Sequence, residues 1–158
     1  QRMRTPMRSL ALILLLAIAG CGGDKAPTAA KAHAVATART TVGGVTLQTS
    51  TVALADLNDA VAARYGIDRG GDGVMLLVTV RDAAGNGIDP GDLQLTATAS
   101  VLPDPPTPLA LRAIQTDGMT DYLGVVQARA PATVTFKLIA TRAGARADIA
   151  TTAELQPR

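Results

Sequence analysis

Two stretches of strict two-residue alternation do most to limit the folds open to this chain. Leu93, Leu95, Ala97, Ala99 and Val101 alternate with Gln94, Thr96, Thr98 and Ser100. Ala132, Val134, Phe136, Leu138 and Ala140 alternate in the same way with Thr133, Thr135, Lys137 and Ile139. Successive side chains of a strand point to opposite faces, so each stretch predicts a strand with one face on a core. Wound at 3.6 residues per turn, the same residues would scatter their apolar groups around the axis. Residues 45–51 share the alternation and the β-branched content and read as an opening strand.

The remaining elements follow from the punctuation. Val-Met-Leu-Leu-Val-Thr-Val at 74–80 is nearly continuous in apolar residues, which predicts a strand covered on both faces. Further strands are expected over 109–114, 122–128 and 148–155, with turns at 82–87, at Asp117-Gly118 and at Ala143-Gly144. Four prolines make 103–108 a stiff loop that cannot donate a ladder of hydrogen bonds. A short amphipathic helix is expected over 57–65, with Asp56 as N-cap, Leu57, Ala60, Val61 and Tyr65 at helical spacing, and Gly66 as terminator. About seven short strands with regular turns predict a mainly-β fold. The expected form is an immunoglobulin-like β-sandwich with one short helix between the first two strands.

The N-terminus assigns a compartment. Arg2, Arg4 and Arg8 precede an apolar run over 10–18, which ends in Ala19 and Gly20. Basic residues, a short apolar run and small residues at a cut site describe an export signal. The run is too short for a membrane span, which needs about 20 apolar residues. Ile18-Ala19-Gly20-Cys21 resembles a bacterial lipobox, and the resemblance implies acylation of Cys21 and cleavage after Gly20. Two or more acyl chains anchor a protein stably to a membrane. The alternative is an ordinary secretory signal beside an incidental cysteine. Residues 1–20 are thus expected to be the signal, 21–41 the lipidated cysteine and a flexible tether, and 42–158 the sandwich. A coil of about 20 residues spans roughly 25 Å. Gly22, where many inner-membrane lipoproteins carry Asp, resembles an outer-membrane address.

Charge narrows the partners. Three of the 15 basic residues and none of the 13 acidic ones lie in 1–20, so the mature chain balances 12 basic against 13 acidic residues. No basic excess remains to attract nucleic acid. With two Tyr, one Phe and no Trp, stacking on bases or sugars has little to work with.

In order along the chain, Ala62-Ala63-Arg64-Tyr65-Gly66-Ile67-Asp68-Arg69, the apolar strand over 74–80, Pro108-Leu109-Ala110-Leu111-Arg112 and Tyr122-Leu123 resemble a bacterial family, domain of unknown function number 4426, found in small periplasmic proteins. The resemblance covers roughly 42–155. It implies no activity, cofactor or partner. The family's aromatics and histidine of the opening strand are replaced here by Thr46, Leu47 and Gln48, and its second aromatic beside Tyr122 by Asp121.

The residues limit the chemistry further. The sole histidine is His33, in the tether, and the sole cysteine is Cys21, so the folded part holds no Ser–His or Cys–His pair. No cofactor is expected. Asp68 and Asp72, in a glycine-rich loop, are the calcium candidates, but they lack the alternating spacing of an EF-hand. Arg69 and Arg112 are candidate binding residues, because a guanidinium can fork onto an anion or a peptide carboxylate. The other reading of both is a structural ion pair or a clamp on a backbone carbonyl. Tyr65 and Tyr122 are candidate ligand contacts or core aromatics. The expected protein is a non-catalytic, lipid-anchored, periplasm-facing module, placed at the outer membrane by its Gly22, that binds or supports an envelope protein. A small-ligand or calcium carrier and a carboxylate enzyme built on Asp are the alternatives.

Overall fold

The structure, a computed structural model, describes residues 36–158. The expected signal over 1–20, Cys21 and His33 lie outside the described residues. Nine strands make two antiparallel sheets. The first has the order β1-β2-β3-β7-β6 and the second β5-β4-β8-β9. The strands are β1 (Thr37–Val42), β2 (Val45–Ala53), β3 (Gly73–Arg81), β4 (Gln94–Val101), β5 (Thr107–Leu109), β6 (Arg112–Thr116), β7 (Met119–Gln127), β8 (Ala132–Arg142) and β9 (Ala145–Leu155). The fold is the expected mainly-β sandwich, with nine strands rather than seven.

Each extra strand has a local cause. Residues 37–41, expected in the tether, instead form β1 together with Val42 and pair with β2 from Thr37↔Ser50 to Val42↔Val45. The turn between them is Gly43-Gly44, with φ of +51° and +82°. Both central residues of a type I′ hairpin need such angles, and two glycines supply them without strain. The expected strand over 109–114 is divided. Its first part pairs with β4 and its second with β7, so the chain changes sheet at Ala110-Leu111. Thr107 and Pro108, expected in the loop, belong to β5, a three-residue edge strand where the missing proline N–H does little harm.

The helix is shorter than expected. Helix α1 spans Asp59–Tyr65, and its N-cap is Asn58, whose side chain accepts a hydrogen bond from the Val61 amide at 2.8 Å. Asp56 instead ends a 3-10 turn, Leu54–Asp56. Two residues, Leu57 and Asn58, separate the 3-10 turn from the helix, and Leu57 is in extended backbone, with ψ of 135°. Gly66 ends the helix in the left-handed conformation, as expected. With β1 in place, the helix follows the second strand rather than the first.

Strand β3 explains its own composition. Val74, Leu76, Val78 and Val80 point into the space between the sheets and are 0–1% exposed. There they join Leu47, Val134, Phe136, Leu138 and Ala140. Met75 and Leu77, on the opposite face, lie in a second cluster with Leu54, Leu57, Ala62 and Leu123. The helix therefore roofs one half of the outer face of the five-stranded sheet. Each fully buried aliphatic side chain of this kind contributes roughly 1.5–3 kcal/mol.

Polar groups tie the layers together. Thr49 of β2 and Thr151 of β9, both buried, bring their hydroxyl oxygens to 2.5 Å across the core. At one end of the sandwich the Arg142 guanidinium donates to the carbonyls of Pro90 (2.9 Å), Asp89 (3.4 Å) and Gly43. The Ala143 amide is held by the Asp92 carboxylate at 3.1 Å. These contacts join a turn of each sheet to the loop before β4.

Candidate functional site

The hairpin of β6 and β7 closes at Thr116↔Met119 and runs back to Arg112↔Leu123. In a two-residue hairpin the closing pair exchanges both its hydrogen bonds, and hydrogen-bonded pairs then recur at every second residue. Met119, Asp121 and Leu123 therefore aim their backbone groups at β6, while the even-numbered residues of β7 face β3. The amide of Ala128 bonding to the Asp72 carbonyl at 3.2 Å, just past the end of β3, carries the same parity forward.

Beyond Leu123 the parity has a consequence. Strand β7 continues to Gln127 beside β3, but β6 begins only at Arg112, because the chain before it belongs to the other sheet. Among the described residues, no strand pairs with Gly124–Gln127 on that edge, although β5 passes close by in the other sheet. The N–H and C=O groups of Val125 and Gln127 face the gap.

Two clefts flank this open edge, and Val125 and Gln127 line both. The inner cleft, about 270 Å³, is walled by Val101, Leu109, Val126 and the prolines Pro105 and Pro108. The outer cleft, about 290 Å³, is walled by Leu54, Ile67 and Leu123 together with Arg112 and Asp68, the latter's carboxylate accepting the Gly70 amide. Gly124 lies between Val125 and the sheet-changing segment. A Cβ there would meet the side chains of Leu109 and Leu111 at 3.0 Å, so those two leucines close the slot beside it.

The candidate residues from the sequence fall around the outer cleft in part. Arg112 is exposed, and one arm of its guanidinium donates to the backbone carbonyl of Tyr65. That contact is a carbonyl clamp, and it ties β6 to the end of the helix. Its Nε and the other Nη have no hydrogen-bond partner among the described residues. Arg69 forms an ion pair with Asp59 on the first turn of the helix, and its Nε is buried without a partner among the described residues. Tyr65 packs at the edge of the helix-side cluster. Tyr122 is elsewhere, its even position turning it into the sandwich, where it packs against the main core. Burial, and secondarily the negative charge of Asp89, push its phenol above the ordinary value.

The calcium candidates are not assembled into a cage. Asp68 uses its carboxylate to accept the Gly70 amide at 2.8 Å, an Asx turn. Asp72 is exposed, and its carbonyl receives Ala128. Among the described residues, no three acidic, histidine or cysteine side chains converge on one point. No helix among the described residues is long and apolar enough to cross a membrane.

Two features escaped the sequence reading. The ion pair between Arg81 and Asp121, 2.9 Å long and largely covered, lies on the outer face of the five-stranded sheet. Nothing in a single sequence joins residues 40 positions apart. The open edge was hidden for a different reason: residues 109–114 read as one strand, and only the division at Ala110-Leu111 exposes β7. The Gly43-Gly44 pair was the available signal for β1.

The family profile described as "Domain of unknown function (DUF4426)" matches residues 39–155. A crystal structure of a DUF4426 family protein from Pseudomonas aeruginosa is similar over 77% of this chain and 96% of its own, with a TM-score of 0.59 at 16% identity. FetP of a uropathogenic E. coli strain, crystallised after recombinant expression in the periplasm, covers 78% of this chain and 95% of its own, with a TM-score of 0.51 at 11% identity. No curated protein matches the chain.

Proposed function

For a chain that belongs to the DUF4426 family, with one edge of its sandwich left open, we propose a non-catalytic binding module of the bacterial envelope. It is lipid-anchored, faces the periplasm, and holds an extended segment of a partner on the edge of β7. The observation that carries this reading is the coincidence at Val125 and Gln127. Their backbone groups face a gap in the sheet, and two clefts of mixed polar and aliphatic lining lie one on each side of it. Strand addition uses that combination, main-chain hydrogen bonds for affinity and alternate pockets for side chains.

The address rests on other grounds. Ile18-Ala19-Gly20-Cys21 after a basic and apolar leader supports the anchor, and the periplasmic expression of FetP agrees with an exported fold. A non-catalytic role is supported by three acids of the helix side and the sheet that are engaged in turns or ion pairs: Asp68 with Gly70, Asp59 with Arg69, Asp121 with Arg81.

In-cell crosslinking and pull-down from envelope fractions tests the reading, with the native chain compared against Cys21→Ser. One recurrent envelope protein, captured by the native form and reduced in the unanchored one, is the expected result. No specific capture by either form would remove the binding-module reading.

A further inference from the structure

We propose that the β7 edge receives the free carboxyl terminus of a partner polypeptide, with Arg112 as the residue that reads the terminal carboxylate. The inference rests on the edge-binding reading above and specifies its ligand.

The register of the sheet gives a guest strand a direction. Strand β6 is antiparallel to β7 and starts at Arg112, opposite Leu123. A guest strand filling the gap beside Gly124–Gln127 is collinear with β6 and meets its first residue head-on. Paired antiparallel to β7, the better hydrogen-bonded arrangement, the guest runs in the direction of β6. Its C-terminal end is therefore the end that arrives at Arg112. The backbone of Leu111 and Arg112 blocks any continuation, so the guest must stop there.

What stands at that stop is a positive charge with donors to spare. The Arg112 side chain is exposed, held in place by its bond to the Tyr65 carbonyl, and its remaining N–H groups have no partner among the described residues. A chain terminus is a carboxylate, and a guanidinium fork matches it. An N-terminus brought to the same place would set an ammonium against a guanidinium. The charge thus selects both the end of the peptide and its direction.

The clefts define the rest of the ligand. Val125 and Gln127 offer two N–H and two C=O groups, enough to pair about four guest residues. Guest side chains alternate between the inner cleft, with Val101 and Val126, and the outer cleft, with Leu54 and Ile67. Both cavities, about 270 and 290 Å³, have room for an aliphatic side chain beside their polar groups. The ligand is a carboxy-terminal segment of about four residues with aliphatic side chains in alternation.

The test uses the full-length chain in detergent and two pools of N-acetylated hexapeptides, their last four positions drawn from Ala, Val, Leu, Ile and Thr. One pool ends in a free carboxylate and its twin in an amide. A charge-assisted hydrogen bond contributes roughly 1.5–3 kcal/mol, so the carboxylate pool should bind about tenfold to a hundredfold more tightly. Hydrogen exchange should slow at the Val125 and Gln127 amides when it binds. Arg112→Gln should abolish the preference for the carboxylate. Because that change also cuts the clamp on Tyr65, Gln127→Pro serves as the second variant. It removes one N–H from the gap, costs no bond to β3, and should weaken both pools without lowering the melting temperature.

Equal binding of both pools with protection at Val125 and Gln127 would overturn the carboxylate reading and leave the edge reading standing. Absence of binding and protection for both pools, alongside a partner captured in cells, would overturn the edge as the site while keeping a binding module. A concentration-dependent dimer abolished by Gln127→Pro would name a second copy as the occupant and overturn the proposal.

Discussion

Replacing Thr49 by Val should cost more than replacing Thr151 by Val, although the two hydroxyls form one contact. Their oxygens lie 2.5 Å apart in the core, with Thr49 at 0% and Thr151 at 5% exposure. Thr49 Oγ1 also lies 3.4 Å from the carbonyl of Ala38, which can only accept. A hydroxyl has one proton to give. If Thr49 gives its proton to Ala38, Thr151 must supply the proton between the two hydroxyls. Thr49→Val then leaves the Thr151 O–H buried without an acceptor, a penalty of roughly 1–3 kcal/mol. Thr151→Val removes one donor from a hydroxyl whose own proton is still placed, and costs about 0.5–1 kcal/mol. The double Val variant strands no hydroxyl and should be more stable than Thr49→Val alone. Urea unfolding of the full-length chain and both single and double variants, at one pH, reads these differences. In a domain of this size each kcal/mol corresponds to roughly 3–5 °C in melting temperature. Equal losses for the single variants, or a double variant whose loss is their sum, would refute the assigned direction of the proton.

Five other outcomes are expected. Gly43→Ala should destabilise the β1–β2 turn, because its Cβ would stand 2.4 Å from the Arg142 carbonyl oxygen at a φ of +51°; Gly118→Asn, at +74° with open space around it, should melt within a degree or two of the parent. Asp121→Asn should cost roughly 1–2 kcal/mol by loosening the pair with Arg81, less than a sealed ion pair because the two side chains keep 12% and 20% exposure; equal melting of parent and variant would contradict this. Tyr122 holds its proton more tightly folded than unfolded, so its contribution is intact below about pH 10 and lost as pH rises through the folded value. Tyr122→Phe should flatten that alkaline decline, measured by melting from pH 8 to 11. Asp82 is shifted the other way, chiefly by the Asn86 amide, so its contribution is present at neutral pH and fades as pH falls through the lowered value; Asp82→Asn should shrink the acid sensitivity of the melting temperature. Calcium or a chelator should leave the melting temperature unchanged, since Asp68 is committed to the Gly70 amide.

Which face of each long strand turns to the core is written in the local order of its residues. The alternation in β4 and β8, and the double-faced run in β3, carry the burial pattern in their own order, because a strand's period of two is a local property. Turns with both residues at positive φ, at Asp117-Gly118 and Ala143-Gly144, were legible for the same reason, as was Gly66 at the end of the helix. The N-cap was misplaced because Asp56 and Asn58 are equally able to cap, and the choice between them depends on where Leu57 packs. Residues 37–42 were missed because an edge strand with only one strand beside it carries a diluted pattern: Arg39 and Thr41 are exposed, and only Val42 is buried. What tertiary structure alone decided is the site. Residues 109–114 hold no local signal that Leu109 pairs with Ala97 in one sheet while Arg112 pairs with Leu123 in the other. Both pairings satisfy the same β-branched and aliphatic pattern, and only the closure of the two sheets around one core selects between them. That change of sheet leaves β7 open and sets Arg112 at the end of the gap, a placement that exists only once the strands are stacked.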